Sequence, residues 1–558
     1  MEQPKTSGRY WLYFAIAAII VIALAAIRYS LDHPYGTNWD ESIYLNQVQV
    51  DIQRLHGGML LRLAGRILVK SAGRPPGNRL LADPFLALFG FHTTIARLVS
   101  LACYGLSAWF IYLATRRIGS QTAGAIAILG FSLSPQIVSA SVWFSTEAPL
   151  YLATSAMLYC VISCWSDKSE SPGNWIGLGL AVGLGFLAKA SFILIALPLF
   201  AFWLAIDRWS QLGVPRLVSQ RKAGLLAFLV AAPWWLLNIK PVIANVEMAR
   251  GFVRNSLGPR SFATGMQWLW TVVQSLLGYG LSILIVLVGV AVLRKAVVKR
   301  ETSLDPLQKL ALGACACAGA PIILAQLTGT NHLLRHISPA VIPLAIALGV
   351  LADTTGWTGS RLAMAVSGVL FCLQLGMFMV PVFSPNSHPV SSGLVNGSLP
   401  WRILVRHDQW DWNPVLKISD SCGVANPKIS YLGGGGPLTE PAIDFPWAAK
   451  ALSTRRAAVD YPEIKVLWRY EEGPLDWQKI MDEVGQSDLV ITAPHYQVGD
   501  EENGDNAHNA ELADRLSLDS RFRGPIRLQM GRFEPVEVVV FLNKSLVCQT
   551  GQMAPAIP

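Results

Sequence analysis

Charge is what this sequence has least of. Only 15% of its 558 residues are charged, where soluble domains carry about 25%. Apolar residues make up 52%, there are 19 Trp, and mean hydropathy is +0.40. That balance excludes an ordinary soluble enzyme and points to a chain that crosses a membrane several times, with Trp at the interfaces. Internal repeats are lacking, which argues against transporters built from repeated halves. Gly433 to Gly436 lacks the spacing of a dinucleotide or P-loop motif, so it reads as a strand-exit loop. Asp500 to Asp505 lacks the spacing of an EF-hand, so it reads as a solvated turn. Cys315-Ala316-Cys317 lies mid-span without further ligands and is no metal site. The net charge of +9 sits in clusters between apolar runs, where it sets topology, so no nucleic-acid partner is expected.

What is present is a series of apolar runs of about 17 to 25 residues, each able to cross a bilayer core of roughly 30 Å. They fall near 11–27, 94–115, 121–140, 147–165, 174–190, 191–206, 223–239, 268–293, 309–328, 336–352 and 361–383, about eleven spans in all. Lys189-Ala190-Ser191 interrupts 174–206, and a tight helical hairpin is expected there because one helix of that length overshoots the bilayer. Lys5 and Arg9 before the first run place the N-terminus in the cytoplasm. The connections at Arg116-Arg117, Asp167-Lys168, Arg208 to Lys222, Arg294 to Lys309 and Arg361 then also fall inside, in line with the positive-inside rule. The outer face receives 28–93, 140–147, Lys189, 240–267, 329–335 and everything after about 384.

Residues 1–383 thus read as a membrane domain, with 28–93 as its first external loop. Residues 384–558 read as an extracytoplasmic α/β domain. Short β-rich runs at 428–432, 464–468, 488–492 and 536–541 alternate with helical stretches at 477–484 and 507–516, which predicts a partly parallel sheet. Six of the eight Cys fall in spans, while Cys422 and Cys548 lie in the exported domain, where an oxidising compartment would let them pair.

Polar groups gather on the outer face. Asp40, Glu41, His56, Arg62, Arg66, Lys70, Arg74 and Arg79 come from the first loop. Glu147 and Lys189 come from two later connections, and Asn331, His332, Arg335 and His336 from a fourth. Such groups are expensive at membrane depth and tend to be functional. A cationic set facing an acidic pair suits a phosphate-bearing lipid attacked by a nucleophile, with cations on the phosphate and a carboxylate taking a proton. Each residue also has a plainer role. Asp40 could cap a helix beginning at Ser42, and Glu41 could be a first-turn acid favoured by the helix dipole. Glu147 could start a helix, Lys189 could snorkel and Arg335 could anchor at the interface. His332 and His336 stand four apart but have no third ligand, so no metal site is assigned, and a divalent metal is left open as a cofactor.

Trp39-Asp40-Glu41-Ser42-Ile43-Tyr44, Arg74-Pro75-Pro76-Gly77-Asn78, Leu88-Phe89-Gly90-Phe91, Ala96-Arg97-Leu98, Ser145-Thr146-Glu147-Ala148-Pro149, the Gly185 to Lys189 segment, Pro233-Trp234 and Arg335 before Pro339 occur in this order. Together they resemble the GT-C membrane glycosyltransferases that use polyprenyl-phosphate sugars, among them the dolichyl-phosphate-mannose protein mannosyltransferases and the lipid A aminoarabinose transferases. The resemblance covers about residues 10 to 380. It implies a GT-C fold, with Asp40 at the position of the first-loop catalytic acid, Glu147 at the second external acidic position and Arg335 at the basic residue near the lipid phosphate. It departs at Pro75-Pro76-Gly77-Asn78, where many relatives have His or Lys before the two prolines and Leu after them.

The resulting expectation is a multi-pass protein of the cell membrane that moves a sugar from a polyprenyl-phosphate donor to a lipid, glycan or protein acceptor. Asp40 is its general base and Glu147 a second catalytic acid. Glu41, Arg74, Lys189, Arg335 and His336 bind substrate. The alternatives are a non-enzymatic flippase of lipid-linked glycans, a surface-polysaccharide polymerase or ligase, and a degenerate transferase kept as a scaffold. The charges cluster at one face rather than mid-span, and the largest loop between spans is the first, which favours the transferase.

Overall fold

The computed structural model describes residues 6–36, 39–69, 73–167, 171–209, 216–257, 268, 270–299, 304–328, 334–383, 410–433, 438–454, 461–468, 474–496, 508–531 and 535–548. Lys70, Asn331, His332, most of the 433–436 glycine run and the 500–505 acidic run lie outside the described residues. The chain forms two compact units. The first comprises Met1–Ser30, Ala64–Leu81 and Arg97–Val405, the second Leu31–Leu63, Ala82–Ala96 and Arg406–Pro558.

The helices in chain order are α1 (Thr6–Asp32), α2 (Trp39–His56), α3 (Leu60–Val69), α4 (Gly77–Phe89), α5 (Thr93–Ile118), α6 (Gln121–Ser132), α7 (Pro135–Val142), α8 (Glu147–Ser166), α9 (Pro172–Ala188), α10 (Ile193–Trp209), α11 (Arg216–Leu257), α12 (Tyr279–Lys299), α13 (Pro306–Thr328), α14 (Leu334–Ile337), α15 (Val341–Thr354) and α16 (Arg361–Phe383). Among the described residues the apolar runs are helical, with breaks at Leu133-Ser134, Lys189 and Gly278.

Among the described residues, seven helical stretches are long and apolar enough to cross a membrane, and the α6–α7 pair, bent by 65°, makes an eighth if it is one span. Pro135 opens α7 and ends the α6 direction, since proline cannot continue the hydrogen-bond ladder. The expected number of about eleven also includes α16 and the two shorter apolar helices α9 and α10, of 17 residues each.

The 174–206 stretch breaks at Lys189 as expected, but α9 packs on α8 and α11 while α10 packs on α13. The two helices therefore take different neighbours instead of closing as a tight hairpin. Leu24, Leu197, Leu236 and Val286 are more than half exposed on their helices, as side chains turned to hydrocarbon must be. The core between helices is rich in Ala, including Ala15, Ala18, Ala108, Ala127, Ala153, Ala311 and Ala345, whose small side chains let backbones approach.

The second unit holds a five-stranded sheet of β1 (Lys428–Tyr431), β2 (Glu463–Val466), β3 (Leu489–Thr492), β4 (Phe522–Met530) and β5 (Val536–Asn543). The strand order is β2-β1-β3-β5-β4. β1 runs parallel to β2 and β3, and β5 pairs antiparallel with β3 and β4. Alternate residues of the central strands serve opposite faces. Leu489, Ile491, Val538 and Val540 join one cluster, Val490, Val539 and Phe541 the other. Helices α17 (Asn413–Ser421) and α18 (Glu440–Thr454) cover the first face, and α19 (Trp477–Val484) and α20 (Asn509–Leu518) the second. Strand β4, α17 and α18 add to the elements expected from sequence. β4 is an edge strand broken by Gly524-Pro525, with a register shift between Arg523 and Ile526, and that break interrupts its apolar–polar alternation and weakens the strand signal.

Cys422 and Cys548 form a disulfide that closes a sequence separation of 126 residues. A loop of that length constrains the unfolded chain strongly. Replacing both Cys by Ser is expected to lower the stability of this unit by about 2–4 kcal/mol, read as earlier unfolding and faster proteolysis of the full chain. Free thiols at both positions in non-reducing mass mapping would overturn the assignment.

Asp444 on α18 is pushed up to about 7 by burial, with the neighbouring Glu440 acting in the same direction. The folded chain keeps a proton there that the unfolded chain releases above its ordinary value of 3.8. Stability from this group is complete below that value and declines until the pH passes about 7. Asp444→Asn is expected to flatten that decline in thermal midpoints measured across the acid range, and an unchanged slope would refute it.

Candidate active site

In the first unit, four segments carry the candidate residues. The first is Ser145-Thr146-Glu147. Ser145 Oγ donates to Ala140 O at 2.8 Å and braces the turn, so that Glu147 becomes the first residue of α8. Its side chain is only 4% exposed. The helix N-terminus favours a carboxylate there, but a buried carboxylate also needs a cation.

The second segment supplies that cation. Lys189 Nζ donates to Glu147 Oε1 at 2.7 Å. Lys189 is extended, with φ −157° and ψ 138°, at the break between α9 and a 3₁₀ turn at Ala190–Phe192. The break follows from the local sequence. Phe192 folds back against Gly185, where a Cβ would lie 2.4 Å from the ring, and it packs edge-on against Phe186 at 5.4 Å. The ring fills the place where a side chain at 185 would stand, the helix stops, and Lys189 is freed to reach Glu147.

The third segment is Gly73-Arg74-Pro75-Pro76-Gly77-Asn78-Arg79. The prolines make it rigid, and Pro76 O accepts from Leu80 N at 2.9 Å to open α4. Gly77 lies on the end of α9, and a Cβ there would stand 2.7 Å from Leu187 O and 2.8 Å from Ala188 N. This segment therefore runs against the residues that directly precede Lys189. Arg74 is half-buried, while Asn78 and Arg79 are each 1% exposed.

The fourth segment is α14, with Arg335 and His336 half-buried. Tyr151 stands one turn after Glu147 on α8. Its phenol bonds Ser338 Oγ at 2.6 Å, and Ser338 Oγ donates to Arg335 O at 2.9 Å. The start of α8 is thus tied to the backbone that presents Arg335.

Asp40 and Glu41 belong to the second unit. Helix α2 begins at Trp39, three residues before the expected start, so Asp40 lies within the first turn and is not the N-cap of a helix beginning at Ser42. Asp40 is half-buried and Glu41 is fully buried. α2 packs on α18, held by Asn46 Nδ2 donating to Pro441 O at 2.8 Å. Tyr35, just before α2, and Phe91 both pack on Phe445 of α18. Ser42 lines a narrow cleft with Tyr35, Trp410, Trp412 and Phe445. Among the described residues, no group of three His, Cys, Asp or Glu could hold a metal ion.

Residues 73–237 match the family described as dolichyl-phosphate-mannose-protein mannosyltransferase. That span contains Arg74, Glu147 and Lys189. The solved structure of ArnT from Cupriavidus metallidurans in the apo state superposes with a TM-score of 0.53 at 15% identity, over 94% of this chain and 97% of that one.

By fold, the chain is similar to the GT-C membrane glycosyltransferases.

The same ArnT bound to undecaprenyl phosphate matches with a TM-score of 0.50 at 14% identity, over 95% of this chain and 98% of that one. In sequence, the chain is 30% identical over 152 residues to undecaprenyl phosphate-alpha-4-amino-4-deoxy-L-arabinose arabinosyl transferase 1 from Sodalis glossinidius (strain morsitans). That alignment spans 27% of the chain and 27% of the relative's length.

The sequence singles out Glu147, Lys189 and Arg335 but does not pair them. The Glu147–Lys189 ion pair and the Tyr151–Ser338 link join residues 42 and 187 positions apart. Tyr151 and Ser338 carry no sequence signal, because both are ordinary residues of apolar helices.

Proposed function

We propose that this chain is an integral-membrane glycosyltransferase that moves a sugar from a polyprenyl-phosphate donor to an acceptor hydroxyl on the outer face. The observation that carries this reading is the GT-C fold over 94% of the chain, with Glu147, Lys189, the 73–79 segment and α14 linked in one unit. In this reading Asp40 takes the proton of the acceptor hydroxyl. The acceptor oxygen bonds to the anomeric carbon, the bond from that carbon to the phosphate oxygen breaks, and polyprenyl phosphate leaves with inversion. Arg335, with Arg74 and Lys189, balances the charge on the leaving phosphate, Glu147 holds Lys189 in place, and Glu41 and His336 line the substrate.

Residues 1–383 form the transferase domain and 384–558 an external domain, with the N-terminus in the cytoplasm of a plasma or inner membrane. The Cys422–Cys548 disulfide supports an oxidising compartment for the latter. The test is mass spectrometry of lipids and glycans from cells with and without the gene, together with release of polyprenyl phosphate by the purified protein. A sugar missing from one acceptor would name both substrates. Unchanged lipids and glycans with no release would refute the reading.

A further inference from the structure

Two buried carboxamides have neither end hydrogen-bonded among the described residues, Gln49 and Asn78. Only Asn78 lies in the unit that holds Glu147 and Lys189. It is 1% exposed and follows Gly77, whose backbone rests on Leu187 and Ala188. A buried amide without partners is costly, because both its donors and its acceptor have given up water. Such a cost persists at sites completed by a ligand.

We infer that Asn78 is a binding residue for the sugar of the glycosyl donor. The inference rests on the proposed function and deepens it. A lipid-linked sugar phosphate offers three kinds of surface. The polyprenyl tail has no polar atoms and satisfies neither end of the amide. The phosphate accepts hydrogen bonds but does not donate, so it pairs with the amide NH₂ and repels the amide oxygen. A sugar hydroxyl both donates and accepts, and two neighbouring hydroxyls satisfy both ends at once. The cations Arg74 and Lys189, flanking Asn78 in the 73–79 segment and at the end of α9, leave the phosphate to be held by charge and the amide to read the polyol.

The test is binding to the full chain in nanodiscs. Bare undecaprenyl phosphate is compared with undecaprenyl-phosphate-linked mannose, glucose, arabinose and 4-amino-4-deoxyarabinose, for wild type and Asn78→Leu. Wild type is expected to prefer at least one sugar-linked lipid over the bare lipid by about tenfold, the equivalent of one or two hydrogen bonds. Asn78→Leu is expected to erase that preference and leave bare-lipid affinity within about twofold. Asn78→Ala, which removes the amide without adding bulk, repeats the comparison if Asn78→Leu lowers the thermal midpoint. The inference is overturned if wild type shows no preference, if the preference survives both substitutions, or if sugar-linked and bare lipid weaken equally. Failure of the proposed function looks different, as an intact, Asn78-dependent preference with no sugar transferred and no polyprenyl phosphate released.

Discussion

Replacing Asp40 by Asn is expected to cut sugar transfer by about 10²–10⁴-fold, the usual contribution of a general base, and to leave the fold in place. Asn has the shape of Asp but cannot take the acceptor's proton. Asp40 lies in the first turn of α2, where a carboxylate gains about 0.3–1 kcal/mol from the helix dipole. The rest of α2 is held independently by Asn46 on Pro441 and by its packing on α18. Transfer with an excess of polyprenyl-phosphate sugar and the thermal midpoint, measured on one preparation, separate the two effects. Near-normal transfer by Asp40→Asn would remove it from the mechanism. Glu41→Gln is the companion variant. Glu41 is wholly buried, so its loss is expected to appear first as instability. If Glu41→Gln instead abolishes transfer with an unchanged midpoint, the base is Glu41.

The second large effect is structural. Lys189→Met is expected to destabilise the membrane unit by about 3–5 kcal/mol, because it leaves the Glu147 carboxylate buried without its cation. The side chains are 20% and 4% exposed, so little water is at hand to replace the ammonium. The double variant Glu147→Gln with Lys189→Met is expected to recover most of that loss, since it removes both charges. Thermal midpoints in detergent for the two single variants and the double variant provide the measurement. If Lys189→Met keeps the wild-type midpoint and loses only affinity for undecaprenyl phosphate, Lys189 is a phosphate ligand whose contact with Glu147 contributes nothing to folding.

Much of this was legible in the chain itself. Long apolar runs can only be helices in a bilayer, because every backbone donor and acceptor must be satisfied within the segment. The strands around Ile429, Val490 and Val538 stand out because buried central strands are short apolar runs between turns, and the edge strand around Ile464 stands out by alternation. Lys189 was visible as a charge interrupting an apolar stretch. Strand β4 was hidden because Gly524-Pro525 breaks its pattern, and the beginning of α2 was misplaced because Asp40 and Glu41 suit a helix's first turn as well as its cap. Hydropathy marks α9 and α10 as spans but does not register that each is a helix of only 17 residues.

The sequence by itself determined the membrane class, the helical runs, the α/β character of the C-terminal segment and the residues able to do chemistry, because these depend on side-chain chemistry and local periodicity. Only the tertiary structure decided that Glu147 pairs with Lys189, that Gly77 lets the proline segment lie on the end of α9, that Cys422 meets Cys548, and that Asn78 is buried with both ends of its amide unpaired among the described residues. Each of these is a contact between residues far apart in the chain. Such contacts are set by how helices and strands pack in three dimensions, and no local pattern of residues encodes them.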